Sequence, residues 1–197
     1  GHAIGNAMEV MEAVDTLRGE GPEDLTEVCL QLAAHMLYMA DRGEIEACYE
    51  MAKKALEDGS GLQTLAAMVK AQGGDEAYIL DTGRFGKARF CHEVKAERSG
   101  YITHIDTEAC GIASVMLGAG RSRKEDVIDY SAGIYLEKKY GDAVEAGQVL
   151  AVLYASDESL FAEAEKKLLD AYEIGGEPAA PKKLIYARVT KDAVVRF

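Results

Sequence analysis

A chain of 197 residues is long enough for one large or two small domains. Apolar residues make up 48% and charged residues 28%, an ordinary globular balance, and there is neither an internal repeat nor a low-complexity tract. The net charge of −12 argues against a nucleic-acid partner, because binding a phosphate backbone needs clustered cations. No apolar run approaches the roughly 20 residues of a membrane span, and no signal-peptide pattern is present. Cys29, Cys48, Cys91 and Cys110 are scattered without a CxxC pair, and read as reduced, mostly buried thiols of a cytoplasmic protein. The chain opens at Gly1-His2 and runs directly into helical sequence, as expected of a piece of something longer.

Residues 5–18 carry Ala7, Val10, Val14 and Leu17 at helical spacing, with Asn6 as a candidate N-cap. Gly19-Glu20-Gly21 stops this helix, and Pro22 opens the next, with Glu23 and Asp24 in its favourable first turn. From Pro22 to Ala40 the sequence is apolar over most of a helix circumference. Leu25, Val28, Cys29, Leu32, Met36 and Met39 form one stripe that predicts burial between neighbours. A third helix is predicted near Glu44–Glu57 and a fourth over Leu62–Ala71, separated by Gly59-Ser60-Gly61, with Gly73-Gly74 at the end.

From Asp75 the period changes. Residues 87–96 and 100–105 alternate and are rich in β-formers. Asp106 is placed to cap a short helix through Met116, with Ile112, Val115 and Met116 expected inward. A Gly-rich loop, LGAGRSRKED, follows. In the stretch Ala132–Tyr154, Gly141-Asp142 predicts a hairpin tip, because a tight turn needs residues that tolerate positive φ. Another helix starts near Ser156, with Leu160, Phe161, Ala164, Leu168 and Leu169 on one side, and residues 183–190 read as a last strand. The fold class is therefore α+β, helical at first and β-rich after a boundary near residue 75.

Few residues announce chemistry. Gly118-Ala119-Gly120-Arg121 has the glycines of a phosphate cradle but not the Gly-Lys-Ser ending of a P-loop, so a structural turn is the expected role, with Arg121 bonding loop carbonyls. His2, His35, His92 and His104 lack metal-ligand spacing, although His92 and His104 fall on strands expected to be neighbours and His35 on the helix expected to be buried. Glu9 and Glu12 lie three apart on the first helix, the pattern of a solvated face. The run Gly141-Asp142-Ala143-Val144 to Gly147 and Leu150 resembles the corner of a barrel-sandwich domain, the shape of biotinyl and lipoyl carriers. A carrier needs an exposed lysine at a hairpin tip, usually flanked by methionines; Lys138-Lys139 precedes the turn and no Met flanks it. A non-catalytic carrier or binding module is thus the alternative reading.

The two ends of the chain carry a stronger resemblance. Gly1–Val10 (GHAIGNAMEV), Thr16–Leu25 (TLRGEGPEDL), Gln72–Asp75, Leu117–Arg121 with Lys124–Asp126, Ala132–Ile134 and Lys138–Gly147 closely resemble the pyrimidine-nucleoside phosphorylases, the family that includes thymidine phosphorylase. The resemblance implies the C-terminal portion of such an enzyme: residues 1–75 as the helical end of its α/β domain, and residues 76–197 as its barrel-sandwich-hybrid C-terminal domain. It implies a homodimer when full-length, and a pentosyltransferase reaction in which nucleoside and phosphate give free base and a pentose-1-phosphate. The family's phosphate and base groups come from a Lys-His-Ser-Thr-Gly-Gly loop and an Arg/Ser/Lys set upstream, and neither occurs here, so no catalytic or substrate-binding residue is assigned. It also implies a potassium ion, for which Ala3 would supply a carbonyl and Glu12 the carboxylate, in a site left incomplete without its loop partners.

Overall fold

Alternation and helical periodicity meet in one chain because its residues sort into separate cores. The computed structural model describes all residues from Gly1 to Phe197. Internal contacts divide them into two units, one of Gly1, Ala13–Leu80 and Pro181–Phe197, the other of His2–Glu12 and Asp81–Ala180. No helix is long and apolar enough to cross a membrane.

Helix α1 (Ala7–Leu17) runs into the first unit, which also holds α2 (Glu23–Met39), α3 (Ile45–Glu57), α4 (Ser60–Ala71) and the single turn α5 (Ala77–Leu80). Its core is small: Val14, Ala66 and Ile79 are buried, with Leu62, Leu65 and Val69 against them. Arg18 ties α5 in place by donating to the carbonyls of Ile79 and Leu80 at 3.5 and 2.9 Å. The break before α4 is shorter than the expected Gly-Ser-Gly. Only Gly59 adopts positive φ, while Ser60 and Gly61 already belong to the helix.

Helix α2 departs most from expectation. Its apolar stripe predicts burial, yet only Ala34 is buried. Leu32, Met36 and Met39 are 56%, 64% and 74% exposed. The principal partner of α2 is α3, which is amphipathic and covers one side, so the other sides of a helix apolar nearly all round stay open.

The second unit contains two antiparallel sheets. One orders β1 (Ala3–Gly5), β4 (Gly133–Leu136), β6 (Val149–Ala155) and β2 (Phe90–Lys95) as β1-β4-β6-β2; the other orders β5 (Ala143–Val144), β3 (Gly100–Ile105) and β7 (Tyr172–Gly175) as β5-β3-β7. Neither closes into a barrel. Alternation in β2 sends Val94 inward and Cys91, Glu93 and Lys95 outward, as period-2 strands require. Ile134, Leu136, Leu150, Leu153, Ile102 and Val144 fill a shared core with α6 (Thr107–Ser114) and α7 (Phe161–Ala171).

Asp106 caps α6 as expected, accepting from the Ala109 amide at 3.1 Å. The inward face is only partly the expected one: Met116 packs against the core, but Ala109, Cys110, Ala113 and Ser114 are the buried residues and Ile112 is 42% exposed. Small residues let α6 approach α7 closely, and that contact outranks the larger side chain in setting the helix rotation. The Gly141-Asp142 expectation also needs correcting. A turn is there, with Gly141 at φ +93° and the Asp142 amide donating to the Lys139 carbonyl at 3.1 Å. The flanking strands do not pair with each other, however. β4 joins β6 and β5 joins β3, so the turn moves the chain from one sheet to the other.

Short strands escaped the sequence pattern. β1 and β7 are three and four residues long. The expected strand over 183–190 narrows to β8 (Ala187–Val189), which pairs antiparallel with β9 (Val194–Arg196) in a hairpin of the first unit.

One close approach gives a direct test. In the β1–β4 ladder Gly5 faces Gly133, and a Cβ at position 133 would fall 2.5 Å from the Ile4 carbonyl and 2.4 Å from Met8 Sδ. The thioether can swing away, but the backbone oxygen cannot move without opening the ladder. Gly133→Ala is expected to lower stability by about 1–3 kcal/mol, the usual cost of overpacking. Urea denaturation followed by far-UV circular dichroism measures it, and Gly141→Ala, whose Cβ meets nothing within 4 Å, is the comparison that isolates backbone strain.

Candidate functional site

The residues singled out near the start of the chain gather around strand β1. The Glu12 carboxylate accepts from the His2 amide at 2.7 Å and from the Ala3 amide at 3.2 Å, both through Oε1. Leu136 N–H donates to the His2 carbonyl, so that carbonyl and residue 4 face the β4 ladder, while the His2 N–H is turned to Glu12. Ala3, paired with Tyr135 between them on an edge strand, turns its own N–H and carbonyl off the sheet toward the Glu12 side. The structure therefore brings Ala3 and Glu12 together. The expected solvated face holds for Glu9, which is exposed while accepting from the Gly5 amide at 2.8 Å, and is corrected for Glu12, which is half-buried.

The Gly-rich loop joins the same cluster. Asn6, the candidate cap of α1, uses its side chain on the loop: Nδ2 donates to the Ala119 carbonyl at 2.7 Å, while the Ala7 amide donates to the Tyr130 carbonyl at 3.1 Å. The amides of Ser122 and Arg123 are occupied by Asp126 Oδ2, at 3.0 and 2.8 Å. A carboxylate thus sits where a cradle would put phosphate, and the loop is held by its own side chain. Arg121 is exposed and makes no hydrogen bond within the chain, so the expected bonds to loop carbonyls are absent. Asp129 closes the loop. Burial pushes its carboxyl up, but hydrogen bonds from Ser131 and Ser156 outweigh that and hold it below the ordinary 3.8.

The histidines stay apart. His92 lies on β2 and His104 on β3, strands of different sheets, so the expected neighbouring pair does not form. His92 Nε2 lies 2.9 Å from Glu165 Oε2, and its ring stacks on Phe161. His35 is half-buried on α2, with Nδ1 at 2.6 Å from the Gln31 carbonyl. Cys48 and Cys110 are buried while Cys29 and Cys91 are exposed, and all are free.

A network that the sequence reading missed lies between α2 and α3. Glu27 accepts from Tyr49 Oη at 2.7 Å through one oxygen and from Gln31 Nε2 at 2.9 Å through the other. The i,i+4 spacing of Glu27 and Gln31 was a signal for half of it. Donating to a carboxylate pushes the Tyr49 hydroxyl up to about 12, and the same bond holds Glu27 below its ordinary value. Glu27→Gln removes the charge that keeps the phenol protonated. Tyr49 is then expected to ionise nearer its ordinary 10.0. Spectrophotometric titration of tyrosinate absorbance should show one late-titrating group moving to lower pH.

The lysines needed by a carrier are misplaced for that role. Lys138 and Lys139 are half-buried at a turn between sheets, the Lys138 carbonyl accepting from Tyr172 Oη at 2.9 Å and the Lys139 amide bound by Asp142.

Two antiparallel sheets with α6 packed against α7 carry a Gly-rich loop pinned beside β1. Residues 101–175 match the pyrimidine nucleoside phosphorylase C-terminal domain family. Almost the whole chain is similar to curated pyrimidine-nucleoside phosphorylases: 42% identical over 191 residues to that of Geobacillus stearothermophilus, and 40% identical over 192 residues to those of Staphylococcus aureus and Bacillus subtilis. These alignments cover 96–97% of this chain but 44% of each relative, so the chain corresponds to the C-terminal portion of such proteins and spans under half their length.

Proposed function

We propose that this chain is the C-terminal part of a pyrimidine-nucleoside phosphorylase, a pentosyltransferase that splits a pyrimidine nucleoside with phosphate into free base and pentose-1-phosphate. The carrying observation is the likeness to named phosphorylases over 96% of the chain. The half-buried, turn-bound lysines leave the carrier alternative without an attachment point. In this reading the division near residue 75 separates the helical end of the α/β domain from a barrel-sandwich-type domain. The enzyme acts as a cytoplasmic homodimer, and the pinned Gly-rich loop is part of the scaffold.

The same reading makes Ala3 and Glu12 potassium ligands. Their fit rests on chemistry at β1: a carboxylate and an outward-facing main-chain carbonyl form an oxygen-only set, suited to a hard cation. Potassium there would tie the missing phosphate loop to β1, and Glu12 would hold the strand through the His2 and Ala3 amides whether or not the ion is bound.

Placing the missing N-terminal portion of the Geobacillus protein ahead of Gly1 tests both claims. The chimera is expected to release uracil from uridine only when phosphate is present; a folded, soluble chimera without phosphate-dependent release would refute the reading. Glu12→Gln keeps an oxygen to accept from the β1 amides but removes the charge. In the chimera it should abolish the potassium dependence of the rate while amide exchange at His2 and Ala3 stays slow. A potassium response equal to that of the parent would remove Glu12 from the site.

A further inference from the structure

Three side chains of α1 hold the corner where β1 turns into the helix, and one of them reaches in an unexpected direction. Glu12 and Glu9 bind β1 amides no more than ten residues away, those of His2, Ala3 and Gly5. Asn6 reaches 113 residues forward, donating from Nδ2 to the Ala119 carbonyl at 2.7 Å. At the start of a helix an asparagine usually turns its side-chain oxygen to the helix's own first-turn amides. Here the partner is a carbonyl, which only the amide nitrogen can serve. The Gly-rich loop returns the bond. Its Tyr130 carbonyl accepts at 3.1 Å from the Ala7 amide, one of the first-turn N–H groups that have no partner within their own helix.

Asn6 and Ala7 thus fasten the two ends of one loop to the start of α1, all within the second unit. Between those ends the loop is tied to itself. The Asp129 amide donates to the Gly118 carbonyl at 2.9 Å, and Asp126 Oδ2 accepts from the Ser122 and Arg123 amides. A further tie runs beside it, from Ser114 Oγ to the Ile4 carbonyl at 3.4 Å. Strand β1 needs such support. It is three residues long and pairs on one side only, with β4, and short elements near a chain end fray when little anchors them. Its open edge is where the Ala3 carbonyl and the Glu12 carboxylate stand.

We propose that Asn6 is a positioning residue for the corner that carries Ala3 and Glu12. By fastening the Gly-rich loop to the start of α1 it makes that loop the backing of β1. The seat of the loop and the placement of the Ala3 carbonyl and Glu12 carboxylate are therefore kept or lost together. That the corner is positioned for potassium rests on the reading proposed above. The coupling itself involves residues of this chain alone and is tested without the ion.

The test is amide hydrogen exchange, followed by NMR at neutral pH, on the full 197-residue chain and its Asn6→Asp variant. Aspartate matches asparagine in size, caps a helix as well, and carries a charge that suits the positive end of the helix dipole. It lacks the donor, so its carboxylate faces the Ala119 carbonyl and repels it. A capping role alone predicts exchange that is unchanged or slower. The positioning role predicts exchange faster by about tenfold, within the usual range of coupling between sites, at Ala7, Asp129, His2 and Ala3, with the β2–β6 ladder as in the parent. Coupling of this kind is reciprocal, so Glu12→Ala, which frees the β1 amides, should quicken Asp129 as well. No acceleration in Asn6→Asp, acceleration at the loop with His2 and Ala3 unchanged, or acceleration shared equally by the β2–β6 ladder would each overturn the proposal. In the Geobacillus chimera, Asn6→Asp should raise by about tenfold the potassium concentration that protects the Ala3 amide, and an unshifted midpoint would overturn the part of Asn6 in the site. A chimera whose Ala3 amide ignores potassium would refute the potassium reading, while coupled exchange in the 197-residue chain would still uphold Asn6 as the residue that seats loop and strand together.

Discussion

Incubated with thymidine or uridine and phosphate, the purified chain is expected to release no base. Phosphorolysis requires donors that hold phosphate and groups that stabilise the departing base as charge develops on the sugar. Removing a single donor of that kind typically slows an enzyme by about a hundred- to a thousandfold. Here the family's Lys-His-Ser-Thr-Gly-Gly loop and its upstream Arg/Ser/Lys set are missing altogether. The cleft beside α7 is lined by Glu97, Glu165 and Asp170 against a single Lys166, a field that repels phosphate. The Gly-rich loop, the other candidate cradle, has the Asp126 carboxylate on its Ser122 and Arg123 amides. A chromatographic assay for free base checks the expectation. Turnover within about a thousandfold of a complete phosphorylase would mean that these residues hold chemistry assigned here to the missing portion.

How far the sequence could be read depended on the range of the interactions involved. The strand over 100–105, the Asp106 cap and the α7 face rest on local pattern, and they stand in the structure almost residue for residue. The Gly141-Asp142 turn was legible as a turn, because positive φ is a property of the residue itself. Its partners were not, because which sheet β5 joins is set by β3, some forty residues earlier. The α2 stripe was legible as apolar, but burial needs a neighbour, and composition does not say whether that neighbour is in the chain. At the candidate cation site, resemblance supplied Ala3 and Glu12. The reason they meet, an edge strand whose outward amides reach a carboxylate one helix turn and more away, appears only once β1 is seen paired with β4. Arg188 Nε, buried without a hydrogen-bond partner, had no sequence signal at all, since it depends on a hairpin folding back onto helices far earlier in the chain.

The second large effect is expected in the β-rich core. Leu153 is fully buried on β6, opposite His92 of β2 on one side and Ile134 of β4 on the other. Leu153→Ala removes apolar contacts from the middle of the four-stranded sheet and leaves a cavity that the ladders on both sides prevent from collapsing. The expected cost is about 2–5 kcal/mol, a large share of a small domain's stability. Met36→Ser on α2 is the counterpart. It removes an equally apolar side chain that is 64% exposed, so its effect on stability should stay within about 0.5 kcal/mol. Its effect on association should be the larger one, because Cys29, Leu32, Met36 and Met39 form a continuous exposed apolar stripe of the kind that drives self-association. Chemical denaturation at low protein concentration reads the first quantity and sedimentation velocity over a concentration series reads the second. Equal destabilisation by the two substitutions would mean that the α2 stripe is covered in solution and that burial, not exposure, is its working state.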